Sequence, residues 1–344
     1  MATLKDISKH LGLSVTQVSR AMNNHSDVSK ATRDRVQAAA KELGYAVNMS
    51  ARSLVTGRSG LVSLIRPGGL SGPADITYLE TISGLSNEFF KRGLQFVLHM
   101  VPIGEDALPI YHKAAASGSF DGFILTDLTP DDPRVALLTE MGVPFVAHGR
   151  SATHARHSYF DIDNFDVARQ HVKHLAKLGH KRIALLNGPQ NYAYSKYRLD
   201  GYLAALGEMG LAYDPDLVVS TLMTEGHGMV LTARLFEDGP ARPTALICGN
   251  ILLAKGAYKA FEAMDMRIPN DVSVVAHDDV IHDIRGSAFY PSLTVTKSPF
   301  SESWTNLADI LCLEIQGKTT QKSQRLADVE FIARASSGPV KTKQ

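Results

Sequence analysis

Over the first sixty residues apolar positions recur at helical spacing; beyond them, short apolar runs alternate with longer amphipathic stretches. Leu4, Ile7 and Leu11 fall at i, i+3 and i+7, one stripe of a short helix. Thr3 and Asp6 form a capping pair at its start, and Gly12 supplies a tight break. Ser14 and Gln17 have the spacing of a capping box, so a second helix is predicted from Val15. Val18 and Met22 then turn inward, leaving Val15, Thr16, Gln17 and Arg20 outward. Ser29 is read as the cap of a third helix, with Val36, Ala40 and Leu43 inward and Gly44 closing it. Two helices joined by a short Gly-containing turn make a helix-turn-helix, whose second helix presents its N-terminal residues to the major groove. A three-helix interaction module is the other reading of this pattern.

Apolar runs at 61–65, 96–101, 123–126 and 143–147 are separated by helical stretches at 79–91 and 134–141. A second series has strands at 183–186, 218–220, 245–248 and 272–276, with helices at 167–178, 197–209, 229–236 and 253–264. Such alternation predicts parallel sheets covered on both faces. About 280 residues is large for one core, so the expectation is an α/β body of two doubly wound lobes with a ligand cleft between them.

Charge separates the two parts. Residues 1–60 carry nine Lys and Arg against four Asp and Glu, net +5, whereas the rest has 27 against 31, net −4. A basic head on a mildly acidic body points to the head as the polyanion-binding end. No apolar stretch is long enough to span a bilayer, the N-terminus lacks the apolar core of a signal peptide, and Cys248 and Cys312 sit in apolar contexts as buried thiols. A cytoplasmic protein with no membrane partner is expected. His154 with His157, and His171 with His174, have usable ligand spacing, yet neither pair has a Cys or Glu to complete a metal set. There is no Gly-x-Ser-x-Gly elbow and no glycine-rich phosphate loop, so neither an enzyme nor a cofactor is expected.

The string Thr3-Leu4-x-Asp6-Ile7-Ser8, Gly12-Leu13-Ser14, Val18-Ser19-Arg20-x-x-Asn23, Val28-Ser29-x-x-Thr32-Arg33 and Leu43-Gly44-Tyr45 closely resembles the headpiece of the LacI/GalR transcription regulators. Asn48, Ala51-Arg52-Ser53-Leu54 and Gly57 resemble that family's hinge, although Val47 stands where proline is usual. The resemblance implies a headpiece over 1–47, a hinge over 48–58, a periplasmic-binding-protein-like effector and dimerisation domain over 59–338, and a tail over 339–344. Its lobes would take 59–160 with part of 290–320, and 161–289 with part of 320–338. It implies a ligand-responsive regulator, by default a repressor of carbohydrate genes, acting as a homodimer on pseudo-palindromic operator DNA. Thr16 and Gln17 would read bases, Val15 would meet a thymine methyl and Arg20 a guanine. Thr3, Ser19, Asn23, Ser29, Asn48, Ala51 and Arg52 complete the DNA set, with Leu54 wedging into the minor groove. Read without the family, Leu54 is a linker leucine lying against the surface.

For the effector, a saccharide is expected. The segment Tyr197-Arg198-x-x-Gly201-Tyr202 resembles a family element in which Arg198 clamps ligand hydroxyls. The segments ending Cys248-Gly249-Asn250 and Ala276-His277-Asp278-Asp279 likewise imply Asn250 as a bidentate amide and Asp278 as an acceptor at the mouth. Ile251 and Ala276 depart from the family's usual Asp and Gly. From the first lobe, Tyr78 is read either as an aromatic that stacks on a ligand ring or as a core tyrosine, and His148 and Arg150 are expected to add a polar cluster. A sugar-binding module without DNA activity and a sugar-modifying enzyme are the alternatives.

Overall fold

The computed structural model describes residues 2–22, 25–45, 57–68, 75–102, 104–151, 157–237, 239, 241–279, 284–298, 301–318 and 321–341. Two compact units divide at Ser59/Gly60. The expected hinge residues Asn48, Ala51, Arg52 and Leu54, and also Asn23 and His154, lie outside the described residues.

The small unit has three helices: α1 (Leu4–Leu11), α2 (Val15–Met22) and α3 (Lys30–Glu42). Both expected capping boxes form. Thr3 accepts from the Asp6 amide while Asp6 takes the Thr3 amide, and Ser14 and Gln17 exchange the same pair of bonds at 3.1 Å. Ser29 caps α3 by accepting from the Thr32 amide. At its other end Gly44, at φ 63°, lets the Tyr45 amide reach back to the Ala40 carbonyl. Ile7, Val18, Ala21, Val28, Val36, Ala39 and Ala40 form the core, with Leu4, Leu11, Met22, Leu43 and Tyr45 packed against it.

In the large unit two six-stranded sheets repeat one design. The first contains β1 (Leu61–Pro67), β2 (Gln95–Val101), β3 (Gly122–Leu125), β4 (Phe145–His148), β5 (Tyr159–Ile162) and β11 (Gln324–Ala327), in the order β2-β1-β3-β4-β5-β11, all parallel. The second contains β6 (Ile183–Asn187), β7 (Val218–Ser220), β8 (Ala245–Cys248), β9 (Ser273–Asp278), β10 (Thr294–Lys297) and β12 (Glu330–Ile332). Its order is β7-β6-β8-β9-β10-β12, with β12 alone antiparallel.

Helices α4 (Asp75–Lys91), α5 (Leu108–Ala116), α6 (Pro133–Glu140) and α11 (Ser301–Ile315) cover the first sheet, and α7 (Asn164–Lys177), α8 (Ala193–Glu208), α9 (Glu225–Leu235) and α10 (Ile251–Ala263) the second. Alternate residues feed opposite faces. Val62, Leu64, Ile124 and Val146 pack under α4 and α11, whereas Ile65, Phe123, Leu125 and Ala147 pack on the other side. The late crossings differ in detail from a simple split: α11 and β11 join the first lobe, while β10 and β12 join the second. In each sheet the order reverses beside the first strand, at β1/β3 and at β6/β8. A parallel doubly wound sheet binds ligands outside the strand C-termini at that reversal.

Candidate functional site

On the small unit, α2 presents Val15, 40% exposed, and also exposes Thr16, Gln17 and Arg20, while Ser19 is half-buried. Gln17 has its carbonyl oxygen committed to the Ser14 amide, and Thr3 is committed to its own cap. Their remaining donors and acceptors are what they can offer to a groove. Arg20 ion-pairs with Asp27 at 2.6 Å.

In the large unit, strand ends of both lobes surround a cavity of about 530 Å³. The first lobe contributes Arg66 near the end of β1, Thr126 and Asp127 after β3, His148 at the end of β4 and Asp161 of β5. The second contributes Tyr192, Tyr194 and Arg198 around the start of α8, Met223 before α9, Gly249 and Asn250 after β8, and His277 and Asp279 at the end of β9.

Arg198 is 4% exposed and, among the described residues, has no carboxylate partner. One terminal nitrogen donates to Asn164 Oδ1, and Asn164 is itself fixed by donating to the Ile162 carbonyl at 3.1 Å. Burial lowers the Arg198 pKa, with Tyr194, Asp279 and Asp161 pulling the other way. A Cβ at Gly249 would lie 2.9 Å from Arg198 Nη1, so glycine there makes room for the guanidinium. A buried cation of this kind is completed by ligand oxygens.

The other expected residues fare differently. Asn250 lines the cavity, but its Oδ1 caps α10 at the Leu253 amide, 2.9 Å, and its Nδ2 donates to the Met223 carbonyl. One N–H remains for a ligand, not a bidentate face. Asp278 is not at the mouth. Strand side chains alternate, so His277 and Asp279 face the cavity while Asp278 is buried on the other side, accepting from the Gly286 amide at 3.0 Å. Tyr78 lines the cavity with one ring face already covered by Arg66 at 3.8 Å. Arg150 is not among the lining residues. It braces Asp161 from behind at 2.8 Å and lies over the Tyr197 ring. Asp127, Asp161, His277 and Asp279, at or near strand ends, and the Tyr192/Tyr194 pair at the start of α8 are not among the residues singled out from the sequence. Asp127 holds a left-handed backbone, φ 52°, where Arg134 Nη2 donates to both the Thr126 and Asp127 carbonyls.

Two lining groups titrate abnormally. Burial pulls His148 from 6.5 down to about 4, partly offset by Asp279, and its ring meets Ser303 Oγ at 3.2 Å. Burial pushes Asp161 from 3.8 up to about 6 against the pull of Arg150. The signs oppose. An unfolded His148 takes a proton below 6.5 that the folded one refuses until about 4, so this group stabilises the fold at neutral pH and that stability is lost on acidification. Folded Asp161 keeps a proton that the unfolded chain releases above 3.8, so its share is present in acid and lost as pH rises through about 6. His148→Gln should therefore lose less stability than wild type between pH 7 and pH 5, read as urea midpoints. Equal losses would contradict the assignment.

Among the described residues, no cluster of three His, Cys, Asp or Glu is placed for a metal, and no helix is long and apolar enough to cross a membrane. His171 accepts from the Thr296 amide, His174 pairs with Ser337, and His157 stacks on Phe145.

Residues 3–48 match the profile of bacterial regulatory proteins of the lacI family, and residues 172–337 match a periplasmic-binding-protein-like domain. The HTH-type transcriptional regulator AglR of Rhizobium meliloti (strain 1021) is 37% identical over 338 residues, covering 98% of this chain and 94% of its own. Among solved structures, a CelR–cellobiose complex superposes with a TM-score of 0.72 at 30% identity, covering 98% of this chain and 100% of its own. The lac repressor dimer bound to operator and the anti-inducer ONPF gives 0.79 at 27%, covering 98% and 99%. With both parts matched in order over nearly its whole length, the chain belongs to the lacI family of bacterial regulatory proteins and is a DNA-binding transcriptional regulator.

Proposed function

We propose that this regulator binds a neutral saccharide of disaccharide size between its lobes, and that the bound sugar releases operator DNA. The observation that carries this is Arg198, buried without a carboxylate partner among the described residues and lining, with Asp127, Asp161 and Asp279, a cavity that also presents tyrosines. Paired donors and acceptors suit hydroxyls, and the volume falls in the range of small-molecule sites. CelR, a relative, has been solved with cellobiose, which supports the class of ligand.

The chain acts as a homodimer in the cytoplasm without turnover of its ligand. The outer stripe of α4 fits a partner: Leu79 and Phe90 are exposed there with the small Ser83 and Ser86 between them. Residues 1–47 read DNA, 48–58 serve as the hinge with Leu54 as its minor-groove wedge, and 59–338 sense the effector.

A melting screen tests the ligand class. Cellobiose, maltose, sucrose, glucose, galactose and adenosine would be added to the full chain. At a hundredfold excess over Kd a disaccharide should raise Tm by about 5 °C or more. A shift by adenosine alone would overturn the saccharide assignment.

A further inference from the structure

We infer that Asp27 determines DNA sequence specificity by holding Arg20 for a base edge and withholding it from phosphate. Arg20 lies in the last turn of α2, one turn beyond Thr16 on the exposed side. Its Nη2 is 2.6 Å from Asp27 Oδ2, and both side chains are about half exposed. An exposed pair of this kind adds little to folding, so its consequence lies in what Arg20 does.

The turn presenting Asp27 is held by hydrogen bonds at His25 and Val28. The His25 amide donates to the Arg20 carbonyl at 3.0 Å, and the Val28 amide to the His25 carbonyl at 3.2 Å. Val28 is buried in the core, and Arg33 donates from both Nε and Nη2 to its carbonyl. Asp27 is therefore a fixed acceptor. Arg20 has five N–H donors, and one carboxylate oxygen at one nitrogen leaves others for the N7 and O6 acceptors of a guanine.

On the right base, Asp27, Arg20 and guanine are satisfied together, with the arginine's rotamer already chosen. On random DNA, Arg20 reaches a phosphate only by leaving Asp27 unpaired beside a polyanion. The carboxylate thus penalises the wrong complex more than the right one, which is how a repulsive group creates specificity.

The inference rests on α2 as the base-reading helix, and one experiment separates the two. Full-length wild type, Asp27→Asn and Arg20→Ala would each select from a randomised duplex pool, and each would be titrated with poly(dI-dC) at fixed salt. Wild type should enrich guanine at one position per half-site, and Arg20→Ala should lose that preference. Asp27→Asn should keep the rest of the site, flatten that position and bind poly(dI-dC) about tenfold more tightly. If Asp27→Asn selects guanine as strongly as wild type and binds poly(dI-dC) no better, Asp27 has no such role. Unchanged selection by Arg20→Ala would overturn the inference too. Failure of wild type to enrich any duplex would overturn it together with the DNA-reading helix.

Discussion

Arg198→Ala is expected to weaken effector binding about 100-fold, roughly 3 kcal/mol, while leaving DNA binding in the absence of effector unchanged. The guanidinium is buried, one terminal nitrogen donates to Asn164 and the other to the Met223 sulfur at 3.8 Å, and no carboxylate competes for its donors among the described residues. Truncation strips the ligand's oxygens of a charged donor and leaves Asn164 Oδ1 without its partner. Arg198→Lys should restore little, because a point charge on a flexible stem cannot bond Asn164 and a hydroxyl pair from one rigid fork. Calorimetry with the sugar bound by wild type reads the first effect, and a gel shift the second. Wild-type sugar affinity in Arg198→Ala would remove Arg198 from the site.

The second large effect concerns folding. α9 and α10 approach so closely that a Cβ at Gly256 would lie 2.0 Å from the Glu225 carbonyl oxygen and 2.5 Å from the Met229 nitrogen. Across the same contact, a Cβ at Gly228 would meet the Leu253 carbonyl at 2.3 Å. Backbone cannot swing aside as a long side chain can, so Gly256→Ala should destabilise the large unit by about 3 kcal/mol. Gly207, in α8, provides the contrast, since nothing lies within 4 Å of its would-be Cβ. Gly207→Ala should be neutral or stabilising by up to ~1 kcal/mol, because alanine loses less chain entropy in a helix. Urea midpoints compare the two, and equal small effects would show that the helices can part at little cost.

What the sequence made legible tracks what local chemistry decides. The headpiece was readable almost whole, because Thr3, Asp6, Ser14, Gln17, Ser29 and Gly44 state helix ends through their own hydrogen bonds. Most of the alternating strands and helices of the lobes were readable through their periodicity, although α5 and α11 of the first lobe were not. The strands at 159–162, 294–297, 324–327 and 330–332 were not, being short pieces whose place depends on distant partners. Inside the cavity, Arg198 was legible only through the resemblance of Tyr197-Arg198-x-x-Gly201-Tyr202 to a family element, because taken alone it reads as an exposed helix arginine. Asp278 against Asp279 was not, since the choice turns on the register of one strand and a single residue reverses the face. Arg150 was named for a ligand but spends itself on Asp161, and Asn250 is divided between a helix cap and the cavity; such pairings exist only in the folded chain.

Occupation of the cavity is expected to change affinity for DNA. Fluorescence anisotropy of a selected operator duplex, titrated with the protein at zero and at saturating disaccharide, tests it most directly. Operator affinity should fall by about 5- to 150-fold with sugar present, the range of typical coupling. The same sugar should then bind the operator complex more weakly than the free protein by that same factor. Superimposable operator isotherms with and without a sugar that demonstrably binds would show that the cavity and the DNA-binding end are uncoupled.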